Sequence, residues 1–160
     1  MKLLVFSDSH GRKELVDRML SKESACKEII FLGDGAKEVD WIENFYPEKH
    51  FTCVRGNNDW YSQLNGEAYK YFDGITIFAC HGDYYNVRTT LSALCKKAAS
   101  VNAPLALYGH THVPKVTKDP STGVTAVNPG ALCDGKYCVI EISKGSFNVE
   151  HKSCYQEAEI

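Results

Sequence analysis

The stretch that decides the fold is Leu-Leu-Val-Phe-Ser-Asp-Ser-His at residues 3–10, a short apolar run that ends in an aspartate and a histidine. An unbroken run of this kind predicts a strand buried on both faces. Four more polar segments follow along the chain, most of them directly after an apolar run: Gly33-Asp34, Gly56-Asn57-Asn58-Asp59, Cys80-His81-Gly82-Asp83 and Gly109-His110-Thr111-His112. The sequence therefore predicts that nitrogen and oxygen donors are delivered repeatedly to the ends of strands.

The apolar spacing between these segments alternates between strand and helix patterns. In the first half it predicts strands at 2–7, 28–32 and 50–54 with helices at 11–24 and 36–44. In the second half it predicts a hairpin of 69–73 and 75–80 around Asp73-Gly74, a helix at 87–101, strands at 104–108, 115–118 and 124–127, and a last strand at 137–142. Strand, polar segment and helix in succession are typical of an α/β protein. We expect two packed sheets with helices outside.

Size and charge narrow the class of protein. A chain of 160 residues fits a single domain, 1–160, and can bury most of its apolar surface without covalent cross-links. The net charge of -2 and the pI near 6.3 supply no basic field, so stable nucleic-acid binding is not expected.

Cysteine usage and hydropathy indicate the compartment. The seven cysteines are odd in number and widely spaced, and five lie in or beside apolar runs, which suggests reduced thiols and a cytoplasmic protein. The apolar N-terminal run stops after four residues, and no apolar stretch approaches membrane-spanning length. We therefore expect a protein that is neither secreted nor embedded in a membrane.

The spacing within the polar segments suits metal binding. In an extended segment residues i and i+2 point to one side, so Asp8 and His10 can bind one ion, and His110 and His112 share this spacing. Strand ends at the carboxyl edge of an α/β sheet gather in one crevice, where distant donors converge. Glycines allow the sharp turns and close approaches that this requires, at positions 33, 56, 82 and 109.

The mixture of donors indicates a pair of transition-metal ions. Two ions roughly 3.5–4 Å apart need a shared ligand, and a carboxylate such as Asp34 is the natural bridge. Histidine-rich sites favour manganese, nickel, zinc or iron over an all-oxygen magnesium or calcium site. The chain contains no Cys-x-x-Cys pair, which argues against a structural zinc cage.

Each segment also has an ordinary explanation when taken alone. Asp-x-His after a strand is commonly a cap or a turn, Gly33-Asp34 is a turn signal, and Asn57-Asn58-Asp59 suits left-handed turn backbone. A surface loop could carry the paired histidines of Gly109-His110-Thr111-His112. The ordered set of five favours the metal centre, whereas His50 and His151 lack such settings and are expected at the surface.

Together the motifs Asp8-x-His10, Gly33-Asp34, Gly56-Asn57-x-Asp59, His81-Gly82 and Gly109-His110-x-His112 resemble those of the calcineurin-like metallophosphoesterase superfamily. The short chain resembles its small prokaryotic phosphodiesterase branch, over residue 3 to about residue 140. The resemblance implies a four-layer α/β/β/α sandwich, two packed mixed sheets flanked by helices, with a dinuclear metal centre. By matching motif, the first ion would be held by Asp8, His10, Asp34 and His112, and the second by Asp34, Asn57, His81 and His110.

One position departs from the family pattern. Many members carry a histidine directly after the metal-binding asparagine, and that histidine is credited with stabilising the transition state or protonating the leaving group. Here the residue is Asn58, whose amide can donate a hydrogen bond but cannot deliver a proton as imidazolium can. The small phosphodiesterase branch also tends to lack this histidine, so the departure favours phosphodiesters as substrates.

The expected mechanism is direct in-line hydrolysis. Two cations, manganese first among them with nickel, zinc and iron as alternatives, would lower the pKa of a bridging water to give hydroxide and neutralise charge on the phosphoryl oxygens. The predicted catalytic residues are Asn58, Asp34 and His81. Asn58, Arg12 and Arg55 are the predicted substrate contacts, with a surface salt bridge as the alternative use of each arginine. Asp59 and Asp83 are expected to orient ligand histidines or the ligand asparagine.

Two alternatives to the phosphodiesterase remain. A phosphomonoesterase, including a protein phosphatase, is opposed by Asn58 and by the absence of insertions that would form a peptide-docking surface. A non-catalytic scaffold module like the retromer subunit of similar fold is opposed by competent donors at all seven ligand positions. The expected partner is a small-molecule phosphate ester, with the substrate open among cyclic nucleotides, glycerophosphodiesters, nucleic-acid ends and nucleotides. Assembly of the chain as a homo-oligomer is also left open.

Overall fold

Two mixed five-stranded sheets form the centre of the structure, a computed structural model that describes residues 1–155. The first sheet has the order β10-β9-β1-β2-β3 and contains β1 (Lys2–Phe6), β2 (Glu28–Phe31), β3 (His50–Cys53), β9 (Lys136–Ser143) and β10 (Ser146–Ser153). The second has the order β4-β5-β6-β8-β7 and contains β4 (Glu67–Phe72), β5 (Ile75–Cys80), β6 (Leu105–Leu107), β7 (Lys115–Lys118) and β8 (Thr125–Asn128).

Three helices cover the outer faces of these sheets. The helices α1 (Lys13–Lys22) and α2 (Ala36–Ile42) pack on the first sheet, and α3 (Ser92–Ser100) packs on the second. A separate apolar cluster fills the space between the sheets. The layers therefore run helix, sheet, sheet, helix, which confirms the predicted α/β/β/α sandwich.

Strand β1 illustrates why the sequence folds in this way. Leu4 and Phe6 face the helices, whereas Leu3 and Val5 face the second sheet, and all four are fully buried. Full burial of one such side chain contributes about 1.5–3 kcal/mol to the free energy of folding. The unbroken apolar run is therefore stable only at the centre of the sandwich, where both faces of the strand are covered. Parallel pairing of β1 with β2 and of β2 with β3 brings their carboxyl ends to one edge.

Most predicted boundaries lie within about two residues of the observed ones, and two predictions differ more substantially. The strand predicted at 137–142 is not the last, because β10 follows it through a tight turn at Lys144 and Gly145 and pairs with β9 along its whole length. The helix predicted from 87 begins only at Ser92, where Thr90 Oγ1 accepts a hydrogen bond from the Ser92 amide. The residues before it form a loop in which Asn86 takes a left-handed conformation, with φ of 54°.

Several other expectations bear on the environment of the chain. All seven cysteines are free thiols, as predicted. His50 and His151 are exposed, which was also predicted. Among residues 1–155, no helix combines the length and the apolar character that a membrane span would need.

Candidate metal centre

Three side chains meet directly beyond the carboxyl end of β1. Asp8 Oδ1 lies 3.2 Å from His112 Nε2 and 3.4 Å from His10 Nε2, and the two imidazole nitrogens are 3.2 Å apart. Donors that share one ion at about 2.1 Å are separated by roughly 3–3.5 Å. These three atoms therefore already have the spacing of a common coordination sphere.

A second group adjoins the first. His81 Nε2 lies 3.4 Å from Asp34 Oδ2 and 3.2 Å from His110 Nδ1. Asp34 Oδ2 is also 4.0 Å from His10 Nε2, a donor of the first group. One oxygen of Asp34 therefore faces both groups, which is the placement that a bridging carboxylate needs.

The donor set fits divalent cations. Asp8 Oδ1 is buried and has no hydrogen-bond partner within residues 1–155, although its other oxygen accepts from Ser7 Oγ and from the His110 amide. A buried carboxylate oxygen without a partner is costly, and a bound cation would remove that cost. Asp8, Asp34 and His81 form one potential metal-binding group, and His10, His112 and Cys133 form another.

The two asparagines after Gly56 occupy different settings. Asn57 is exposed and lines a cavity beside His81. The backbone N–H of Asn58 donates to Asp34 Oδ1 at 2.9 Å, and its side-chain Nδ2 donates to Asp34 Oδ2 at 2.8 Å. Asn58 therefore positions the Asp34 carboxylate, a contact that the sequence reasoning did not foresee.

Charge at the site is shared unequally between the ionisable side chains. Burial raises the pKa of Asp34, but hydrogen bonds from His81 and Asn58 outweigh it and hold this pKa well below its usual range. Burial opposes charge on His81, yet Asp34 and Asp8 raise its pKa overall. Burial, together with His81 and Arg88, lowers the pKa of His110. The buried carboxylates thus attract positive charge, while the lowered pKa of His110 favours its neutral form.

Five of the seven predicted ligands have left-handed backbone: Asp8, His10, Asp34, His110 and His112, with φ between 43° and 70°. Non-glycine residues take this conformation at a cost, and a cluster of them at one site is typical of functional centres. The sequence spacing predicted extended segments, in which residues i and i+2 point to the same side. That geometry was wrong, because sharp left-handed turns bring the paired ligands together instead.

Hydrogen bonds from other residues hold these turns in place. Asp59 accepts from the backbone amides of Asp34, Gly35, Ala36 and Gly56 at 2.8–2.9 Å. It was expected to orient a ligand histidine or asparagine, so this role differs from the prediction. Its carboxylate suits the N-terminus of α2, where backbone N–H groups lack partners within the helix.

The loop that carries the paired histidines has its own support. Asn128 is fully buried, and its side chain donates to Gly109 O at 3.0 Å and to Thr111 Oγ1 at 2.9 Å. Arg88 Nε donates to His110 Nε2 at 3.1 Å, which leaves His110 Nδ1 facing His81. Neither residue was predicted. Asn128 could have been found from the sequence, because it is a polar residue at the end of the apolar strand β8. Nothing in the sequence singles out Arg88.

Glycines at the predicted positions permit close approach, as expected. A Cβ on Gly33, where φ is 101°, would lie 2.6 Å from Gly56 N and 2.8 Å from His81 Nδ1. A Cβ on Gly109 would lie 2.8 Å from Asp8 Oδ2. These separations are shorter than real side chains tolerate, so only glycine fits between the ligand loops.

The two arginines predicted as substrate contacts have different neighbours. Arg12 forms an exposed ion pair with Glu14, the alternative use foreseen for it. Arg55 lines a cavity of about 510 Å³ together with Asp83 and the highly exposed rings of Trp60 and Tyr84. Contact of either arginine with a substrate stays a prediction.

Comparison with known proteins identifies the family to which these motifs belong. Residues 1–145 match the family model described as the calcineurin-like phosphoesterase superfamily domain. A curated relative, the probable metallophosphoesterase YsnB of Bacillus subtilis, is 25% identical over 134 residues, covering 82% of this chain and 75% of that protein.

Solved structures agree on the fold. A predicted phosphoesterase of Streptococcus pneumoniae has a TM-score of 0.79 at 21% identity, covering 96% of this chain and 89% of that one. A novel archaeal phosphodiesterase has a TM-score of 0.71 at 19% identity, covering 95% and 100%. Wild-type Vps29 of Entamoeba histolytica, complexed with zinc, has a TM-score of 0.72 at 17% identity, covering 97% and 100%. At these identities the structures show a common fold and no more.

Proposed function

Because the chain belongs to the calcineurin-like phosphoesterase superfamily, we propose that it is a phosphodiesterase that hydrolyses small phosphodiesters at a pair of divalent transition-metal ions. The observation that carries the proposal is the position of Asp34 Oδ2, 3.4 Å from His81 Nε2 and 4.0 Å from His10 Nε2. A carboxylate between two groups of donors suits a dinuclear centre.

We assign the ligands in two sets that share Asp34. Asp8, His10 and His112 complete the first, and Asn57, His81 and His110 complete the second. Imidazole and carboxylate donors suit manganese, with nickel, zinc and iron as alternatives. The backbone carbonyl of Leu32, 2.7 Å from His81 Nδ1, fixes that ring so that Nε2 faces the site.

When bound, the ions would supply Lewis-acid chemistry, lowering the pKa of a water and neutralising charge on the phosphoryl oxygens. The chain's own residues position the groups for in-line attack. Asn58 holds Asp34 by two hydrogen bonds, and the second N–H of its side-chain amide can still be offered to a phosphoryl oxygen. Because no imidazole occupies position 58, leaving groups that depart without a proton are favoured.

The substrate's organic part has a place beside the centre. The cavity of about 510 Å³ that contains Asn57 and His81 also contains Arg55, Trp60 and Tyr84. A cation and two exposed aromatic rings suit a small, partly planar phosphate ester. The seven free cysteines fit the proposed cytoplasmic location, where thiols stay reduced.

The competing function is a scaffold of the Vps29 kind. The fold of that protein covers 97% of this chain, and it was solved with zinc, so metal binding by itself does not separate the two functions. Turnover separates them, since a scaffold needs no hydrolysis. A phosphomonoesterase is the second competitor, and it is distinguished by substrate preference.

The test is an activity panel. Metal-free protein is reconstituted with manganese, nickel, zinc or magnesium, and phosphomonoesters and phosphodiesters are compared under each ion, with Asp34→Asn as the inactive control. We expect diester hydrolysis that exceeds monoester hydrolysis and that Asp34→Asn abolishes. Hydrolysis of monoesters alone would contradict the diesterase, and binding of metal without any turnover would favour the scaffold.

A further inference from the structure

Cys133 is set apart from the other cysteines of the chain. The other six all contribute to apolar clusters of the core: Cys26, Cys53 and Cys154 beneath α1 and α2, Cys138 between the sheets, and Cys80 and Cys95 beneath α3. Cys133 belongs to none of these clusters and is half-buried. Its thiol lies instead among metal-binding side chains, where the sulfur and one ring nitrogen each of His10 and His112 are all within 4.8 Å of one another.

The backbone fixes this position. The Leu132 amide donates to Ser7 O at 2.8 Å and the Cys133 amide donates to Asp8 O at 3.0 Å, so the segment is bonded to the end of β1. A short 3-10 turn at Leu132–Asp134 follows, closed by Gly135 with φ of 78°. Cys133 is therefore held beside the ligand loop by main-chain bonds that do not depend on its side chain.

A second observation points to a cation at the same place. Asp8 Oδ1, fully buried and without a hydrogen-bond partner in residues 1–155, lies 3.4 Å from His10 Nε2 and 3.2 Å from His112 Nε2. Cys133 would join Asp8, His10, His112 and the shared Asp34 as a fifth donor, and a zinc ion can expand from four to five ligands. One ring nitrogen of His10 and one of His112 lie within 4.8 Å of the sulfur, so a closure of about 1 Å brings them to the spacing of shared ligands.

We propose that Cys133 is a further ligand of the ion held by Asp8, His10 and His112, and that its sulfur makes this position selective for thiophilic ions. The inference rests on the proposed function, because it concerns one of the two ions of that centre. Binding breaks the S–H bond, the sulfur keeps the electron pair and donates it to the ion, and the proton goes to solvent. Sulfur ligands favour zinc, iron or cobalt over manganese and magnesium, so the first position differs in selectivity from the second, which has only nitrogen and oxygen donors.

Cobalt(II) is a probe that reports the ligand directly. Its visible d–d bands appear on binding to any donor set, whereas a near-ultraviolet sulfur-to-cobalt charge-transfer band appears only with a thiolate ligand. We expect both kinds of band in the wild-type protein. Cys133→Ser should retain the visible bands and lose the charge-transfer band, while the control Cys53→Ser, which changes the other half-buried cysteine, should retain both.

Metal selectivity provides the second measurement. Cys133→Ser should weaken zinc binding at the first position by at least about tenfold, the scale seen when supporting metal contacts are removed, and should leave manganese binding within about twofold. Visible bands without a charge-transfer band in the wild-type protein would overturn the inference. A charge-transfer band that persists in Cys133→Ser would also overturn it, as would an equal loss of zinc and manganese affinity in that variant. Failure of the wild-type protein to bind cobalt at all would instead overturn the proposed dinuclear centre.

Discussion

The close contact between Gly56 and the Asp34 carboxylate gives the sharpest prediction. A Cβ at Gly56 would lie 2.1 Å from Asp34 Oδ1 and 2.4 Å from Asp34 N, and contacts under 3.0 Å are not tolerated. Gly56→Ala therefore forces the carboxylate to move by about 0.9 Å. Overpacking of this kind costs about 1–3 kcal/mol of folding free energy, and a misplacement of about 1 Å at a reacting centre lowers the rate by on the order of 100-fold.

Gly66 provides the matched control, because a Cβ there meets nothing within 4 Å. Urea unfolding in the presence of a chelator measures the stability of each protein, and manganese titration with a diester assay measures the site. We expect the stability of Gly66→Ala to lie within about 0.5 kcal/mol of the wild type and its manganese affinity to match that of the wild type. Wild-type stability and activity in Gly56→Ala would refute the geometry given for the two ligand loops.

Three further predictions concern the site and the fold. Asp34→Asn should lose more activity and more metal than Asp8→Asn, because a bridging ligand serves both ions. Elemental analysis and hydrolysis rates compare the two variants. Equal rate losses, with both ions retained in Asp34→Asn, would mean that Asp34 is not the bridge. Asn58→His should flatten the dependence of log rate on leaving-group pKa across aryl phosphodiesters and raise monoester relative to diester hydrolysis; equal, shallow slopes would show that another residue already acts as the acid. Glu23→Gln tests the hydrogen bonds that link Glu23 to Lys152 on β10 and to Tyr137 on β9. Burial raises the pKa of Glu23, but these hydrogen bonds lower it overall. The carboxylate therefore stabilises the fold above its ordinary pKa of 4.5, and this stabilisation is lost as the pH falls through the lowered value. Unfolding should show a deficit of about 1–2 kcal/mol at neutral pH that disappears in acid; a deficit independent of pH would contradict this account.

The fold was predictable where burial alone decides the residue pattern. The runs before Ser7 and Gly33 must be apolar on both faces because each central strand lies between a helix layer and the other sheet. Strand β10 escaped prediction because it lies at the edge of its sheet, where Phe147 and Val149 pack on the core while their neighbours are exposed. Such a mixed pattern resembles a polar loop when the partner strand is not known.

The candidate site was predictable in its members and not in its geometry. Glycine and aspartate beside histidine indicated sharp turns, but sequence spacing cannot distinguish an extended Asp8-x-His10 from the left-handed turn that the structure contains. The supporting contacts depend on tertiary structure, since Asn128 and Arg88 reach the histidine loop from other segments of the chain. The position of Cys133 could not be predicted, because nothing near it in the sequence shows that it returns to the end of β1.

Activity as a function of bound metal tests the central claim most directly. Metal-free protein is titrated with manganese, and the ions bound per chain and the rate of diester hydrolysis are measured on the same samples. If Asp34 bridges two ions, the rate should rise steeply only as the second ion binds and should reach its plateau at two per chain. A full rate at one ion per chain, or binding of fewer than one ion after reconstitution, would contradict the dinuclear mechanism.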